Sequence, residues 1–199
     1  GQTALMASVL AGSSKGVEML LTPEFNADAT IAEKDGYTPM HGAGFQGRSD
    51  IASTLLKRGL GVDDVHSGDG LTPLWRTTWG TRRRHIETAK ILILEGHANV
   101  NFLTAKAGHG EPHNPLTSAV QRGNTRAASL LLRHGADPNQ PNPLDGNTAL
   151  HFALKELIKF GGKPEMVKML IELGGADPLL KNKAGKSGND LMSKGKIDL

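Results

Sequence analysis

Six short stretches of this chain line up with one another. They are "GQTALM" (1–6), "DGYTPMH" (35–41), "DGLTPLW" (69–75), "EPHNPLT" (111–117), "DGNTALH" (145–151) and "AGKSGND" (184–190). Anchored on Thr3, Thr38, Thr72, Asn114, Thr148 and Ser187, their spacings are 35, 34, 42, 34 and 39 residues. Behind the first five anchors follows an apolar run at helical spacing, closed in all but the first by Gly and then a small or Asx turn, as in "AASLLLRHGADPN" and "MVKMLIELGGADPL". Self-similarity at such a period means an array of supersecondary units, none of which can bury its apolar face without a neighbour. The chain is therefore predicted to be an elongated stack of helix pairs, stabilised between neighbours.

Local chemistry agrees with that unit. Thr38, Thr72 and Thr148 precede predicted helices, where a hydroxyl can satisfy free backbone N–H groups. Pro39, Pro73 and Pro115 follow such anchors, in the first turn, where proline forfeits no hydrogen bond. Leu5, Met40, Leu74, Leu116 and Leu150 recur at one position and are assigned to the core between units. Gly47 and Gly123 fall between the two helices of a unit, and Asp35-Gly36, Asp69-Gly70 and Asp145-Gly146 read as hairpin turns.

The period and the T-P-L-H-like motif resemble the ankyrin repeat, most specifically in "TPMHGAGFQGRSDIASTLLKRG" and "NTALHFA…GGADP". The resemblance implies an all-α solenoid of helix-turn-helix units joined by β-hairpin loops. It covers residues 1–199 as a single repeat domain of about five units plus a short C-terminal cap, with units starting near 1, 35, 69, 111, 145 and 184. It also implies that His41 and His151 are structural, their imidazoles bonding the backbone of adjacent turns. Trp75 stands in that histidine's place in the third unit and Thr117 in the fourth. The chain opens at a turn glycine and closes on a polar half-unit, so a longer parent protein is expected.

Departures from the period mark the irregular places. Extra residues are assigned near 80–85, in the hairpin at 102–113, and at 157–164 between two helices. Insertions of this kind are thermodynamically cheap, and they either drift neutrally or carry function.

Several function classes find no residues to support them. With no cysteine there is neither a disulfide nor a thiolate metal site. No apolar run approaches the ~20 residues a membrane helix needs, and the first residues carry no signal-peptide pattern. A formal charge of +3 is mild for a dedicated nucleic-acid binder, so nucleic acid is not the expected partner. His109, Glu111 and His113 form the one metal-like cluster, in a loop without a fourth ligand, and no metal or other cofactor is assigned. No phosphate loop, nucleophile elbow or H-E-x-x-H is present, so no catalytic residue is assigned and the chain reads as a non-enzyme.

Ankyrin proteins bind through hairpin tips and the exposed face of the inner helix, which the resemblance carries to equivalent positions here. Counting from the anchors gives Leu10, Phe45, Trp79, Gln121 and Lys155, then Ala11, Gln46, Gly80, Arg122 and Glu156, with Tyr37, Leu71 and His113 at the hairpins. The apolar and aromatic members fall in the N-terminal half of a protein with only eight aromatic rings. The expected contact residues are Tyr37, Phe45, Gln46, Leu71, Trp75, Arg76, Trp79, His113 and Arg122. Trp79 is the leading anchor, and Arg76 is expected to meet an acidic group of the partner. Arg82, Arg83 and Arg84, with His85 beside them, form a secondary basic patch whose other reading is a solvated turn.

The expected function is non-enzymatic recognition of a peptide or folded protein by a chain that is monomeric alone. The competing readings are the ankyrin part of a larger enzyme, a small-molecule-binding relative, or a phosphate contact through the arginines. Cytosol or nucleus is the expected compartment, including for a microbial protein delivered into a host cell.

Overall fold

In the computed structural model, which describes residues 2–33, 36–104 and 113–197, eleven α-helices follow one another, with no β-strand among the described residues. They are α1 (Ala4–Ala11), α2 (Ser14–Leu20), α3 (Pro39–Gln46), α4 (Ser49–Lys57), α5 (Pro73–Thr77), α6 (Arg83–Leu94), α7 (Pro115–Gln121), α8 (Thr125–Arg133), α9 (Ala149–Phe160), α10 (Pro164–Glu172) and α11 (Gly188–Gly195). Contacts gather them into two compact units, the first carrying α1–α6 and the second α7–α11.

Each pair begins at an anchor. Thr3 Oγ1 accepts from the Met6 N–H at 3.1 Å, and Thr72 Oγ1 from that of Trp75 at 3.3 Å. Asn114 and Thr117 cap reciprocally, at 2.8 and 3.0 Å, as do Ser187 and Asp190. Such caps satisfy N–H groups that the first helical turn leaves open. Thr148 and His151 form a capping box in the same way, with the Thr148 hydroxyl also meeting His151 Nδ1 at 2.9 Å. The first helix of α3/α4 closes on Gly47, whose φ of +70° favours glycine.

Within the first unit, α1 lies against α3 and α3 against α5, while α4 packs on α2 and α6. Their shared core holds Leu5, Met6, Met40, Ile51, Leu55, Leu74 and Leu92, all essentially inaccessible. In the second unit α7 lies on α9, α9 on α11, and α10 on α8, around Leu116, Leu131, Leu150, Leu154 and Leu170. Asparagine side chains tie successive loops of this unit. Asn101 donates to the Gly135 carbonyl and accepts from Asp137 N, and Asn139 repeats this with Gly175 and Asp177.

The extra residues near 80–85 and 157–164 become helix rather than loop. α6 has 12 residues where α4 has 9, so Arg83 and Arg84 sit in its first helical turn. α9 has 12 where α7 has 7, carrying residues 157–160 before closing on Gly161 at φ +64°. Arg, Leu, Lys and Glu propagate a helix at little cost, whereas an equivalent loop would have to order without hydrogen bonds. The third insertion, 102–113, falls mostly on residues outside the described set.

α3 and α5 meet through Gly44, where an added Cβ would run into the Pro73 carbonyl. Backbone at that contact cannot yield as a flexible side chain would. Gly44→Ala is expected to cost about 2–3 kcal/mol, the scale of overpacking a tight core. A urea midpoint unchanged from the parent would show that the α3–α5 approach is looser than described.

Candidate functional site

The residues Tyr37, Phe45, Trp75, Arg76 and Trp79 do come together, in the first unit, but not as an exposed row. Arg76 is only 4% exposed. Its guanidinium lies 5.0 Å from the Tyr37 ring centre and 5.1 Å from that of Trp79. Its Nη2 bonds Asp69 Oδ2 at 2.6 Å. The other carboxylate oxygen of Asp69 meets His66 Nδ1 at 2.7 Å and accepts from the Leu71 N–H at 3.2 Å. Beyond Arg76, Trp79 stacks edge-on against both Trp75 (5.5 Å) and Phe45 (5.7 Å). Tyr37, His41 and His66 make a second ring cluster at 5.4–6.0 Å.

Three expected contact residues are thereby corrected. Leu71 is 4% exposed and Trp75 7%. Leu71 turns inward beside α5, and its carbonyl meets His41 Nε2 at 2.9 Å. Trp75 takes the buried histidine place and keeps its burial. Arg76 already has its carboxylate partner in Asp69, so no acid from another protein is required. His85 is also corrected. It is buried, its ring fills the space over Gly80 and Gly47, and it bonds the Phe45 backbone, so it belongs to the scaffold and not to the basic patch.

What stays accessible is narrower. Phe45 is 39% exposed, and Tyr37, Gln46 and Trp79 are half-buried. Trp79 stands just beyond α5 rather than on it. The hydroxyls of Thr77 and Thr78 bond back to the carbonyls of Leu74 and Trp75 at 2.7 and 2.8 Å, and the chain tightens into i→i+3 bonds there. Arg82, Arg83 and Arg84 are exposed, and Arg83 Nε approaches Glu87 at 3.8 Å across one helical turn. The Arg84 stem packs against Gly47, two residues past Phe45. His113 and Arg122 belong to the second unit. His113 is half-buried and stacks edge-on against Phe152 at 5.5 Å, while Arg122 is exposed.

His66 and Asp69 were not singled out from sequence as parts of this network. Asp69 was visible only as a turn residue, and its seven-residue reach to Arg76 is not a spacing that any regular element brings together. Among the described residues no three His, Cys, Asp or Glu side chains come together as metal ligands, and His109 and Glu111 lie outside those residues.

The titratable groups are set for structure. Burial pushes His41 down to about 4, outweighing the Leu71 carbonyl that favours its charge, and the Arg76 charge pushes the same way. Because Nδ1 faces the Thr38 N–H, the proton is assigned to Nε2, which donates to Leu71. Burial also lowers His85, with Arg84 adding to it. For Asp69 burial acts upward, but the Leu71 N–H, the Arg76 charge and His66 together hold the carboxyl below its ordinary value.

A stack of capped helix pairs with histidines bonded to the next turn, and no convergent catalytic groups among the described residues, defines a repeat-built protein-interaction module. The family model of ankyrin repeats (3 copies) matches residues 78–182, and the chain belongs to the ankyrin repeat family, which is generally non-enzymatic. It is 27% identical over 183 residues to the nuclear factor NF-kappa-B p105 subunit of Gallus gallus, covering 91% of this chain and 17% of that protein. It is 41% identical over 61 residues to human ankyrin repeat and SOCS box protein 6, covering 31% of this chain and 13% of that one. Among solved structures, a chain from the complex of the Bd0816 predatory endopeptidase of Bdellovibrio bacteriovorus with immunity protein Bd3460 aligns with a TM-score of 0.76. That alignment has 27% identity and covers 98% of this chain and 93% of that one. The chain thus spans less than a fifth of both curated relatives' length. Among the described residues no helix is long and apolar enough to cross a membrane.

Two measurements test the electrostatics. Asp69→Asn leaves the Arg76 charge buried without its counter-ion and is expected to cost about 3 kcal/mol, whereas Asp69→Asn/Arg76→Met should recover most of it. If the double variant is no better than the single, the two residues are not coupled. For His41, the folded pKa near 4 lies below the unfolded ~6.5, so the unfolded chain binds more protons between them. Stability present above pH 6.5 is therefore lost as pH falls toward 4, by on the order of 2–3 kcal/mol, with His85 acting in the same direction. Urea midpoints flat from pH 7.5 to 4.5 would exclude a buried neutral His41.

Proposed function

We propose that this chain recognises another protein through the first unit, with Phe45 and Trp79 as the apolar anchor, Tyr37 and Gln46 at its edge, and Arg82, Arg83 and Arg84 as a cationic rim. The observation that carries this reading is Phe45. A large ring 39% exposed, backed edge-on by Trp79 and through it by a fixed Arg76, is a rigid apolar platform. Rigid aromatics beside arginine dominate interface energetics, because little side-chain entropy remains to be lost on binding. The arginines add long-range attraction for an acidic partner and chiefly affect the association rate. Leu71, Trp75 and Arg76 support the platform from below. His113 and Arg122 of the second unit stand apart from this anchor in the reading.

A second reading draws on the structural neighbour, which comes from a complex of an endopeptidase with an immunity protein. Occlusion of a peptidase by a chain of this fold is a form of the same recognition, and inhibition of a candidate peptidase by the purified chain would single it out.

A photo-crosslinking residue placed at Phe45 should capture a defined partner that the same residue at Phe160, another exposed ring, does not. With that partner in hand, Phe45→Ala should weaken binding at least tenfold with an unchanged urea midpoint. Replacing Arg82, Arg83 and Arg84 by Ser should slow association and flatten its salt dependence. Equal crosslinking at both positions, or unchanged affinity for Phe45→Ala, removes the aromatic anchor.

A further inference from the structure

The turns that follow α8 and α10 hold their backbone alike and differ in one side chain. Asn139 N–H donates to Asp137 Oδ1 at 2.8 Å, and Leu179 N–H donates to Asp177 Oδ1 at 2.8 Å. The Asn139 amide then bonds the following turn, as Asn101 does one repeat earlier. A leucine cannot make those bonds, and Leu179 is 67% exposed, with Leu180 also open to solvent. Lysines gather around this pair. The Pro178 carbonyl accepts from Asn189 N–H at 3.0 Å, which sets the start of α11 beside Leu179. A Lys181–Ser187 bridge closes the intervening hairpin, and the Lys181 and Lys186 charges act on the Asp190 carboxyl. Gly188 and Gly195 lie against Leu150 and Ile158 of α9, so Lys194, on the Asp190 face one turn further on, is exposed. Lys196 caps the same helix. Residues 177–197 hold five lysines and two aspartates, a balance equal to the +3 of the whole chain. Both aspartates accept backbone N–H bonds, and Lys183 donates to the Pro143 carbonyl. Lys181, Lys186, Lys194 and Lys196 are left exposed.

We propose that this part of the second unit docks on the headgroup surface of an anionic lipid bilayer, with Leu179 and Leu180 entering the interface and the four lysines meeting lipid anions. The proposal does not rest on the first-unit anchor. Charge complementarity asks for an anionic occupant, and side-chain type selects the bilayer over a protein. Residues 173–197 contain no aromatic ring and no arginine. Protein interfaces are depleted in lysine and take their energy from aromatics and arginine, which the Phe45 platform has and this surface lacks. An arginine fork suits a fixed carboxylate. A lysine is a hydrated point charge on a flexible stem, which suits headgroups that hold no fixed position. The outward residues Asn189, Asp190 and Ser193 of α11 are polar and exposed, as befits a wet headgroup layer rather than a packed helix. Attraction to an anionic leaflet raises partitioning about fivefold for each lysine near the surface. The lysines draw the chain to the bilayer and the leucines retain it, two weak signals that together give reversible attachment.

The full chain is mixed with unilamellar vesicles of phosphatidylcholine, alone or with about 30% phosphatidylserine, and floated on a density gradient at about 0.1 M salt. The expected result is flotation with the phosphatidylserine vesicles only, declining as salt rises. Leu179→Ser should weaken binding about fivefold. Lys181→Gln/Lys186→Gln should weaken it about twentyfold, and neither variant should move the urea midpoint. Phe45→Ala, and Ser in place of Arg82, Arg83 and Arg84, should leave flotation unchanged, so loss of the first-unit anchor and loss of this surface appear in separate experiments. No flotation, equal flotation with phosphatidylcholine alone, or flotation indifferent to Leu179→Ser would each overturn the proposal. Retention on immobilised polyglutamate as tight as on phosphatidylserine vesicles would overturn it too, by assigning the lysines to an acidic protein.

Discussion

An imidazole that reaches from one repeat to the next hairpin is the interaction on which this architecture rests. His41 Nδ1 sits on Thr38 at the start of its own helix, and Nε2 donates to the Leu71 carbonyl thirty residues on. His151 does the same between Thr148 and Lys186. One ring thus satisfies a helix start and a loop carbonyl simultaneously, and the His41–Leu71 bond is buried. A buried carbonyl without a partner costs on the order of 1–3 kcal/mol, so each ring helps to set the spacing between successive repeats. His41 does so while uncharged with its proton on Nε2, and burial holds it in that state.

Where Trp75 replaces that histidine, the linkage has to be made differently. The indole fills the volume but offers one donor and no acceptor. In the first unit the polar work passes to Asp69, which joins His66, the Leu71 N–H and Arg76. The guanidinium is then held by a carboxylate and two rings, and those rings include Trp79, on which Phe45 leans. Burying an ion pair brings little net stability, but it permits only one arrangement of the rings around it. The loss of a structural histidine and the appearance of a rigid, partly exposed aromatic platform therefore fall in the same repeat.

The repeat, its caps and its core were legible in the sequence because each depends on spacing that short-range geometry imposes. Thr72, Pro73 and Leu74 cap, start and bury a helix wherever the pattern occurs. The surroundings of Phe45 and Trp79 were only half legible. Counting along an inner helix correctly brought Phe45 and Trp79 together, since equivalent positions on stacked helices are neighbours. Leu71, expected at a hairpin tip, Trp75, in the histidine's place, and Arg76, beside the patch, are instead buried. Exposure there is decided by a carboxylate seven residues away and by α5 ending early at Thr77, neither of which follows from the period.

The insertions carry the same lesson about scale. Extra residues in a repeat were expected to loop out, yet the sequences "RRRHIETAK" and "KELIKF" are good helix formers, and two of the three insertions lengthen helices. A loop of four residues adds a tolerant surface. A helical turn of four residues adds about 6 Å of rigid rod, which shifts whatever follows it to a new place against the neighbouring repeat. In the first unit that rod begins at Arg83, with the Arg84 stem against Gly47. In the second it lifts Gly161–Lys163 over α7 and leaves a lined cavity beneath. Regular repeats supply stiffness and equivalence, and a solenoid acquires distinct local surfaces where helix length departs from the period.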